Sequence, residues 1–376
     1  MRKKITFILV TFLTTYSCWS QVDQQANSSV KKLYRHLNEI SDSVNTDQKI
    51  LIGQQNAFSE GRGWRLSNQE AGQPLKSDMQ VAAGIHPNVL GIDFDEIRPW
   101  NNKLLIGQMR EVHKRGGVVT ISWHMPALIN DGKGDGTSKD TTTRIVKRIL
   151  PGGDHHHVLI EKLDQLAEFF LEIKDIPVVF RPWHEHNYSW FWWGKKHSTK
   201  EEYIELWRIT ATHLMKKGVH NLLYAYSPNH VKKDYLDRYP GDEFIDILGL
   251  DHYYFNRIYD LAIIGLKPLT NYKKDIVWLC EEAARRNKIP AVTELGLETS
   301  HYKNFWTKYF GLPHEKEGME QITGAGRSPR KGPAYIMLWR NDKTSPTHYY
   351  GPVPGHKNNH DFKKLLSKDI YLGLDS

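Results

Sequence analysis

Short apolar runs recur along the chain and alternate with longer amphipathic segments. The runs are rich in Val, Ile and Leu and almost continuous, which predicts strands buried on both faces, as in a parallel sheet covered by helices. Eight such runs occur, at 50–58, 89–96, 118–124, 177–185, 222–229, 245–253, 290–296 and 334–341. The hydrophobic pattern alone therefore predicts eight strands.

The segments between the runs have helical periodicity. Apolar residues of 159–173 recur at the spacing of one helix face, namely Leu159, Leu163, Leu166, Phe170 and Ile173. Segment 198–218 begins with Ser198 and Glu201 at capping-box spacing and ends at Gly218. Strand and helix alternating eight times predict an α/β fold, a single-domain (β/α)8 TIM barrel. A doubly wound open sheet is the alternative, but no G-x-G-x-x-G opens its first helix.

Each predicted strand begins apolar and ends in polar or aromatic residues. These ends are Gln54–Asn56, Asp93–Glu96, Trp123–His124, His184–Glu185, Ser227–Asn229, Asp251–Tyr253, Glu294 and Trp339–Arg340. The carboxyl ends of the strands in such a barrel meet at one mouth, where active sites lie. A loop at 130–137 is expected to lie beside this cleft.

Composition excludes few classes of protein. The chain has 376 residues, 25% of them charged, and a formal charge of +8 without a clustered basic run. Nucleic-acid binding is therefore disfavoured. No repeat or linker divides the chain, so residues 21–376 are expected to form one catalytic domain, and a monomer is the default.

The first 20 residues have the pattern of a secretory signal peptide. A basic start precedes an apolar stretch that is too short to span a bilayer. Export to the periplasm or the medium is predicted, with lipid anchoring through Cys18 as an alternative. After cleavage only Cys280 remains, which excludes an intramolecular disulfide within the remaining chain.

Two carboxylates stand out at the strand ends. Glu185 ends the fourth predicted strand and Glu294 the seventh, so they face each other across the mouth. Two carboxyl groups about 5–5.5 Å apart can perform retaining glycoside hydrolysis. His124, His184 and Glu185 could imitate a metal site, but the favoured hypothesis includes no metal and no cofactor.

Aromatic residues surround these carboxylates in the sequence. The stretch RPWHEHNYSWFWWG at 181–194 contains four tryptophans, and Tyr253 and Trp339 lie at other strand ends. Aromatic faces stack on sugar rings, so Trp190, Trp192 and Trp193 suggest a polysaccharide cleft. Core packing is the alternative for each tryptophan, and some of 190–193 are expected to pack inside.

These motifs, together with SWH at 122–124, DHYY at 251–254, TELG at 293–296 and LWRN at 338–341, resemble glycoside hydrolase family 26. The resemblance extends over about residues 30–370, with the motifs in the family's order. It implies a (β/α)8 barrel and a retaining β-1,4-mannanase.

The resemblance also implies roles for single residues. Glu185 matches the family's acid/base and Glu294 its nucleophile. The residues that match substrate-binding or supporting positions are His124, His184, Trp190, Asp251, Tyr253, Trp339 and Arg340.

The prediction is a retaining endo-β-1,4-mannanase that acts on mannan, galactomannan or glucomannan. An exo-acting enzyme that releases mannobiose is the alternative within the family. A non-catalytic glycan-binding protein is the alternative from another class. Finally, DHHH at 154–157 suggests a metal site, but Asp154 as a helix N-cap with exposed histidines is favoured.

Overall fold

The computed structural model describes residues 21–42, 49–129, 134–141, 144–230, 234–254, 267–299, 304–309, 331–368 and 371–375. The predicted signal peptide with Cys18, and residues 130–133 of the predicted loop, lie outside these ranges.

Eight parallel strands close into a barrel, which confirms the predicted fold class. The strands are β1 (Ile50–Gln55), β2 (Val89–Asp93), β3 (Val118–Ser122), β4 (Val178–Arg181), β5 (Leu222–Tyr226), β6 (Ile247–Tyr254), β7 (Ile289–Leu297) and β8 (Tyr335–Leu338). Neighbours in sequence pair in parallel, and β8 pairs with β1 to complete the ring. Six of the predicted strands extend two to four residues beyond the end of the observed strand. In these six, the chain leaves the sheet before it reaches the last polar residues that the prediction included in the strand.

Helices cover the barrel. In the described residues they are α1 (Ser28–Asp42), α2 (Asp78–Ala83), α3 (Asn102–Lys114), α4 (Ile145–Ile149), α5 (His156–Glu172), α6 (Lys200–Lys216), α7 (Lys267–Arg286), α8 (Phe305–Tyr309) and α9 (Asn359–Leu366). A short strand β9 (Tyr371–Leu372) pairs with the start of β1. Within the described ranges, no helix combines the length and the apolar character that crossing a bilayer requires.

Two predicted helix caps are wrong. The cap of α6 is Thr199, which exchanges hydrogen bonds with Glu202 in a capping box one residue later than predicted. Ser198 is buried, and its hydroxyl donates to the Trp193 carbonyl at 2.9 Å. Asp154 does not cap α5, because its carboxylate pairs with Arg148 at 2.7 Å.

The core has two layers, one inside the barrel and one between the strands and the helices. The strands contribute alternate side chains to each layer: Val179 faces inward, whereas Val178 and Phe180 pack against the helices. Helix α1 closes the floor, since its apolar side chains belong to the same cluster as the inward residues of the strands.

Strand β7 contains a bulge that changes which residues face inward. Leu250 of β6 pairs with Val292, but the next residue, Asp251, pairs with Glu294. The register with β8 shifts at the same place. One extra residue, Thr293, therefore turns Glu294 toward the interior, where strict alternation from Ala291 would have turned it outward.

We expect Thr199→Ala to lower the free energy of unfolding by about 1 kcal/mol, because the amide of Glu202 loses its acceptor. Thr212→Ala, in the interior of the same helix, is the matched control and should change stability by less than about 0.5 kcal/mol. Urea denaturation measures both. An equal loss in the two variants would contradict the assigned cap.

Candidate active site

The tryptophans of 181–194 divide into two groups. Trp183, Trp192 and Trp193 are fully buried, and each indole N–H has an internal acceptor: Thr210 Oγ1 at 3.1 Å, the Met125 carbonyl at 2.9 Å and the His184 carbonyl at 2.8 Å, respectively. Trp190 is half-buried and stacks on Tyr188 with ring centroids 4.3 Å apart. Packing thus accounts for Trp192 and Trp193, and Trp190 is the member of the 190–193 group that combines exposure with a contact to Glu185.

The chain after β4 is bent to aim Glu185. Both Trp183 and Glu185 have left-handed backbone conformations, with φ of 52° and 53°. Such angles are unfavourable for large residues and cluster at functional sites. The Glu185 amide donates to the Ser227 carbonyl at 2.9 Å, which fixes the turn to the end of β5.

The Glu185 carboxylate is 8% exposed and has two protein donors. Trp190 Nε1 donates to Oε2 at 2.8 Å, and Asn229 Nδ2 donates to Oε1. Burial raises the pKa of Glu185 to about 7, with a further contribution from the nearby Glu294 charge. The carboxyl group is therefore partly protonated at neutral pH.

Glu294 has a different environment. Arg181 Nη2 donates to Oε1, and the Tyr253 hydroxyl donates to Oε2 at 2.5 Å. Burial, and then the Glu294 charge, raise the pKa of Tyr253 well above its ordinary value, so the phenol stays a donor. Glu294 thus accepts one hydrogen bond from a guanidinium and one from a phenol.

Arg181 is the buried cation of the site. Its Nη1 donates to Asp251 Oδ2 and to Ser227 Oγ, both at 2.9 Å, in addition to its bond with Glu294. Asp251 also accepts from Thr293 Oγ1 at 2.7 Å. The Asp251 carboxylate is fully buried and bonded within the protein, so it holds Arg181 in place.

The two glutamates approach each other closely. Carboxylate oxygens of Glu185, Asp251 and Glu294 lie within 4.8 Å of one another. Arg181 bonds to two of these three groups, so its single positive charge offsets part of their negative charge. In the described part of the chain, His124, His184 and Glu185 do not converge in this way, so that trio does not form a metal site.

His124 and His184 lie next to each other at the ends of β3 and β4. Their Nε2 atoms are 3.0 Å apart, and His124 Nδ1 is 2.7 Å from Asp93 Oδ2. Burial lowers the pKa of His124, but the charge and the hydrogen bond of Asp93, together with the Glu294 charge, outweigh this effect, and the net shift is upward. His184 is 1% exposed, and burial holds its pKa well below the ordinary value. His124 is thus half-buried, and His184 lies beneath it.

A cavity of about 400 Å³ opens beside His124. It is lined by Asp93, Asp95, Glu96, His124, Pro126, the segment 135–138, Trp339 and Arg340. The Trp339 ring is 5.9 Å from that of His124, and Arg340 Nη1 donates to Glu60 at 3.0 Å. The described part of the predicted loop, 134–137, therefore does lie beside the cleft.

All nine residues that the sequence suggested for the site lie at one mouth of the barrel. Their roles stay predictions. Sequence reasoning missed Arg181 and Asn229. Arg181 carried a usable signal, because an arginine that ends the apolar run PVVFR must be paired if it is buried. Asn229 carried no such signal beyond its position at a strand end.

A (β/α)8 barrel with two buried, facing glutamates and aromatic residues at its mouth has the architecture of a glycoside hydrolase. Residues 22–314 match the model of glycosyl hydrolase family 26. The chain belongs to this family.

Similar solved structures and relatives of known activity agree with this family assignment. A GH26 β-mannanase from Bacteroides ovatus is 32% identical with a TM-score of 0.76, over 93% of this chain and 95% of that one. The catalytic domain of a GH26 endo-β-1,4-mannanase from Bacillus sp. JAMB-750 is 31% identical with a TM-score of 0.77, over 94% of each chain. A mannan endo-1,4-β-mannosidase from Bifidobacterium adolescentis is 34% identical over 64% of this chain. The match covers only 24% of that relative's own length.

We expect Glu294→Gln to lower the pKa of Glu185 from about 7 toward the ordinary glutamate range, because a like charge is removed. Trp190 bonds to Glu185, so a pH titration of tryptophan fluorescence reports the change. Trp190→Phe, which lacks the reporter, is the control. An unchanged midpoint in Glu294→Gln would contradict the coupling.

Proposed function

We propose that this chain is a retaining endo-β-1,4-mannanase that hydrolyses mannan, galactomannan and glucomannan by double displacement. The observation that carries the proposal is the approach of Glu185 and Glu294 to within 4.8 Å. Retaining glycosidases have carboxyl groups about 5–5.5 Å apart, whereas inverting enzymes leave about 6.5–9.5 Å for a water. The mannanase names of the relatives supply the substrate class.

In the first step, Glu294 attacks the anomeric carbon and Glu185 protonates the departing oxygen. The two environments support these roles: Arg181 and Tyr253 hold the Glu294 carboxylate by hydrogen bonds, whereas burial raises the pKa of Glu185 and favours its protonated form. The products are a glycosyl ester on Glu294 and the released part of the polysaccharide.

In the second step, Glu185 acts as a base toward water, and the water attacks the anomeric carbon of the ester. Forming the ester removes the charge of Glu294, which had raised the pKa of Glu185. Glu185 is therefore ionised more easily when it must accept a proton. Tyr253 and Arg181 then stabilise Glu294 as it leaves with a negative charge.

The half-buried aromatic residues form the binding surface in this proposal. Trp190, Tyr253 and Trp339 offer ring faces for pyranose rings, and His124 and Arg340 offer donors for hydroxyl groups. His184 and Asp251 act from beneath, through His124 and Arg181.

The alternatives are distinguished by products. Early products from mannohexaose form a ladder if the enzyme is endo-acting and are mannobiose alone if it is exo-acting. A glycan-binding protein would release no reducing sugar, and it would have no need for paired carboxylates.

We also propose that the chain is exported and acts as a monomer in the periplasm or the medium. The basic and apolar pattern of residues 1–20 supports export. Mass determination of the mature protein would detect either cleavage before Gln21 or a lipid on Cys18. Retention of the full leader would contradict this proposal.

Glu294→Ala should abolish turnover of every substrate, because no ester can form. Glu185→Ala should lower kcat/KM on mannan by about 10²–10⁴-fold, but largely spare kcat/KM on an aryl mannoside with a good leaving group, which needs little protonation. Glu205→Ala, an exposed glutamate on α6, is the control and should keep full activity. Equal losses of Glu185→Ala on both substrates would contradict the assigned roles.

The pH dependence of kcat/KM should have a falling limb near pH 7, because activity requires protonated Glu185 and is lost as pH rises through its pKa. Asn229→Ala removes a donor that stabilises the ionised form, so the limb should move to higher pH. A limb that stays in place or moves lower would contradict the role of Asn229.

A further inference from the structure

Two histidines and an aspartate converge behind the wall of the cleft. His230 follows β5, His252 lies on β6 and Asp275 lies on α7. One ligand atom from each lies within 4.8 Å of the other two. His252 is directed away from the cleft, because it packs against Tyr254 and Tyr272 while its neighbour Asp251 bonds to Arg181 inside the barrel.

The distances in this cluster do not fit direct hydrogen bonds. Asp275 Oδ2 is 3.7 Å from His252 Nδ1 and 3.9 Å from His230 Nδ1. Hydrogen bonds between such atoms are normally 2.7–3.2 Å long. The His252 side chain is 4% exposed, and its Nδ1 has no partner among the described residues. A buried imidazole nitrogen without a partner in the described part of the chain thus lies beside two other groups that can bind a metal.

The same distances do fit a shared metal ion. Ligand atoms about 2.05 Å from a tetrahedral zinc ion are about 3.4 Å from each other, and the two distances from Asp275 exceed this spacing by only a few tenths of an ångström. Two imidazoles and one carboxylate suit zinc and similar transition metals, whereas calcium and magnesium prefer sites made of oxygen atoms. Three protein ligands leave the fourth position for water.

We propose that His230, His252 and Asp275 form a binding site for a zinc-type divalent cation. The proposal does not depend on the catalytic roles proposed above. The bound ion would join the end of β5, the strand β6 and the helix α7. The His230 amide donates to the Asp251 carbonyl at 2.9 Å, and Asn229 precedes it, so the ion would stabilise the backbone that positions Arg181 and Glu185.

The test uses the untagged protein after removal of metal with a chelator. Titration with zinc chloride, followed by calorimetry, should give one site per chain, and zinc should raise Tm. Cobalt(II) should give the visible absorption of tetrahedral coordination. His252→Gln and Asp275→Asn should each weaken zinc binding by more than about tenfold and abolish the cobalt spectrum. Circular dichroism without metal checks that the variants are folded.

Two controls separate this site from other histidines. His157→Gln alters the exposed histidine of the 154–157 segment, and His213→Gln removes the contact of His213 Nε2 with Asp164 Oδ1 at 2.6 Å. Both variants should bind zinc as the wild type does. Absence of zinc binding, or binding that survives in Asp275→Asn and His252→Gln but is lost in His157→Gln, would overturn the proposal. Suppose that variants of His230, His252 or Asp275 lose zinc binding and have a lower Tm, while neither the wild type nor any variant hydrolyses mannan. The metal site then stands, and only the proposed enzymatic function is wrong.

Discussion

The buried ion pairs of Arg181 are the interaction on which the rest of the site depends. The side chains of Arg181, Asp251 and Glu294 are 1%, 0% and 4% exposed, so these groups interact mainly with one another rather than with solvent. Removing one member of such a group typically costs about 3–5 kcal/mol, because a buried charge is left unpaired. This arrangement ties β4, β6 and β7 together, and it holds Glu294 by a guanidinium while burial raises the pKa of Glu185 at the same mouth.

Backbone irregularities direct both glutamates, and they limit what the sequence alone could predict. The eight apolar runs predicted the barrel correctly, since strands buried on both faces leave a strong local signal. The orientation of Glu294 was not predictable by alternation, because the bulge at Thr293 reverses it. The left-handed turns at Trp183 and Glu185 likewise have no local sequence signal, since their hydrogen bonds are with residues distant in sequence: Trp183 bonds to α6, and the Glu185 amide bonds to the carbonyl that follows β5.

Sequence reasoning performed worst where several residues compete for one local role. Ser198 and Thr199 both fit a cap, and burial of Ser198 decided the outcome. Four tryptophans in fourteen positions fitted either a cleft or a core, and three are in the core because each indole found an internal acceptor. The His230, His252 and Asp275 cluster was invisible for another reason: its members come from separate elements that only the closed barrel brings together.

The helical floor of the barrel has a consequence for how the chain can fold. Helix α1 precedes every barrel strand in the chain, but its apolar side chains share a cluster with Met337 of β8, the last barrel strand, roughly 300 residues later. Contacts so distant in sequence form slowly, because long loops must close before they stabilise anything. A ribosome-bound chain therefore carries an uncovered amphipathic helix throughout most of its synthesis. Translation arrested before Tyr335 would yield an open sheet with an exposed edge, which is a substrate for chaperones and proteases rather than a smaller enzyme.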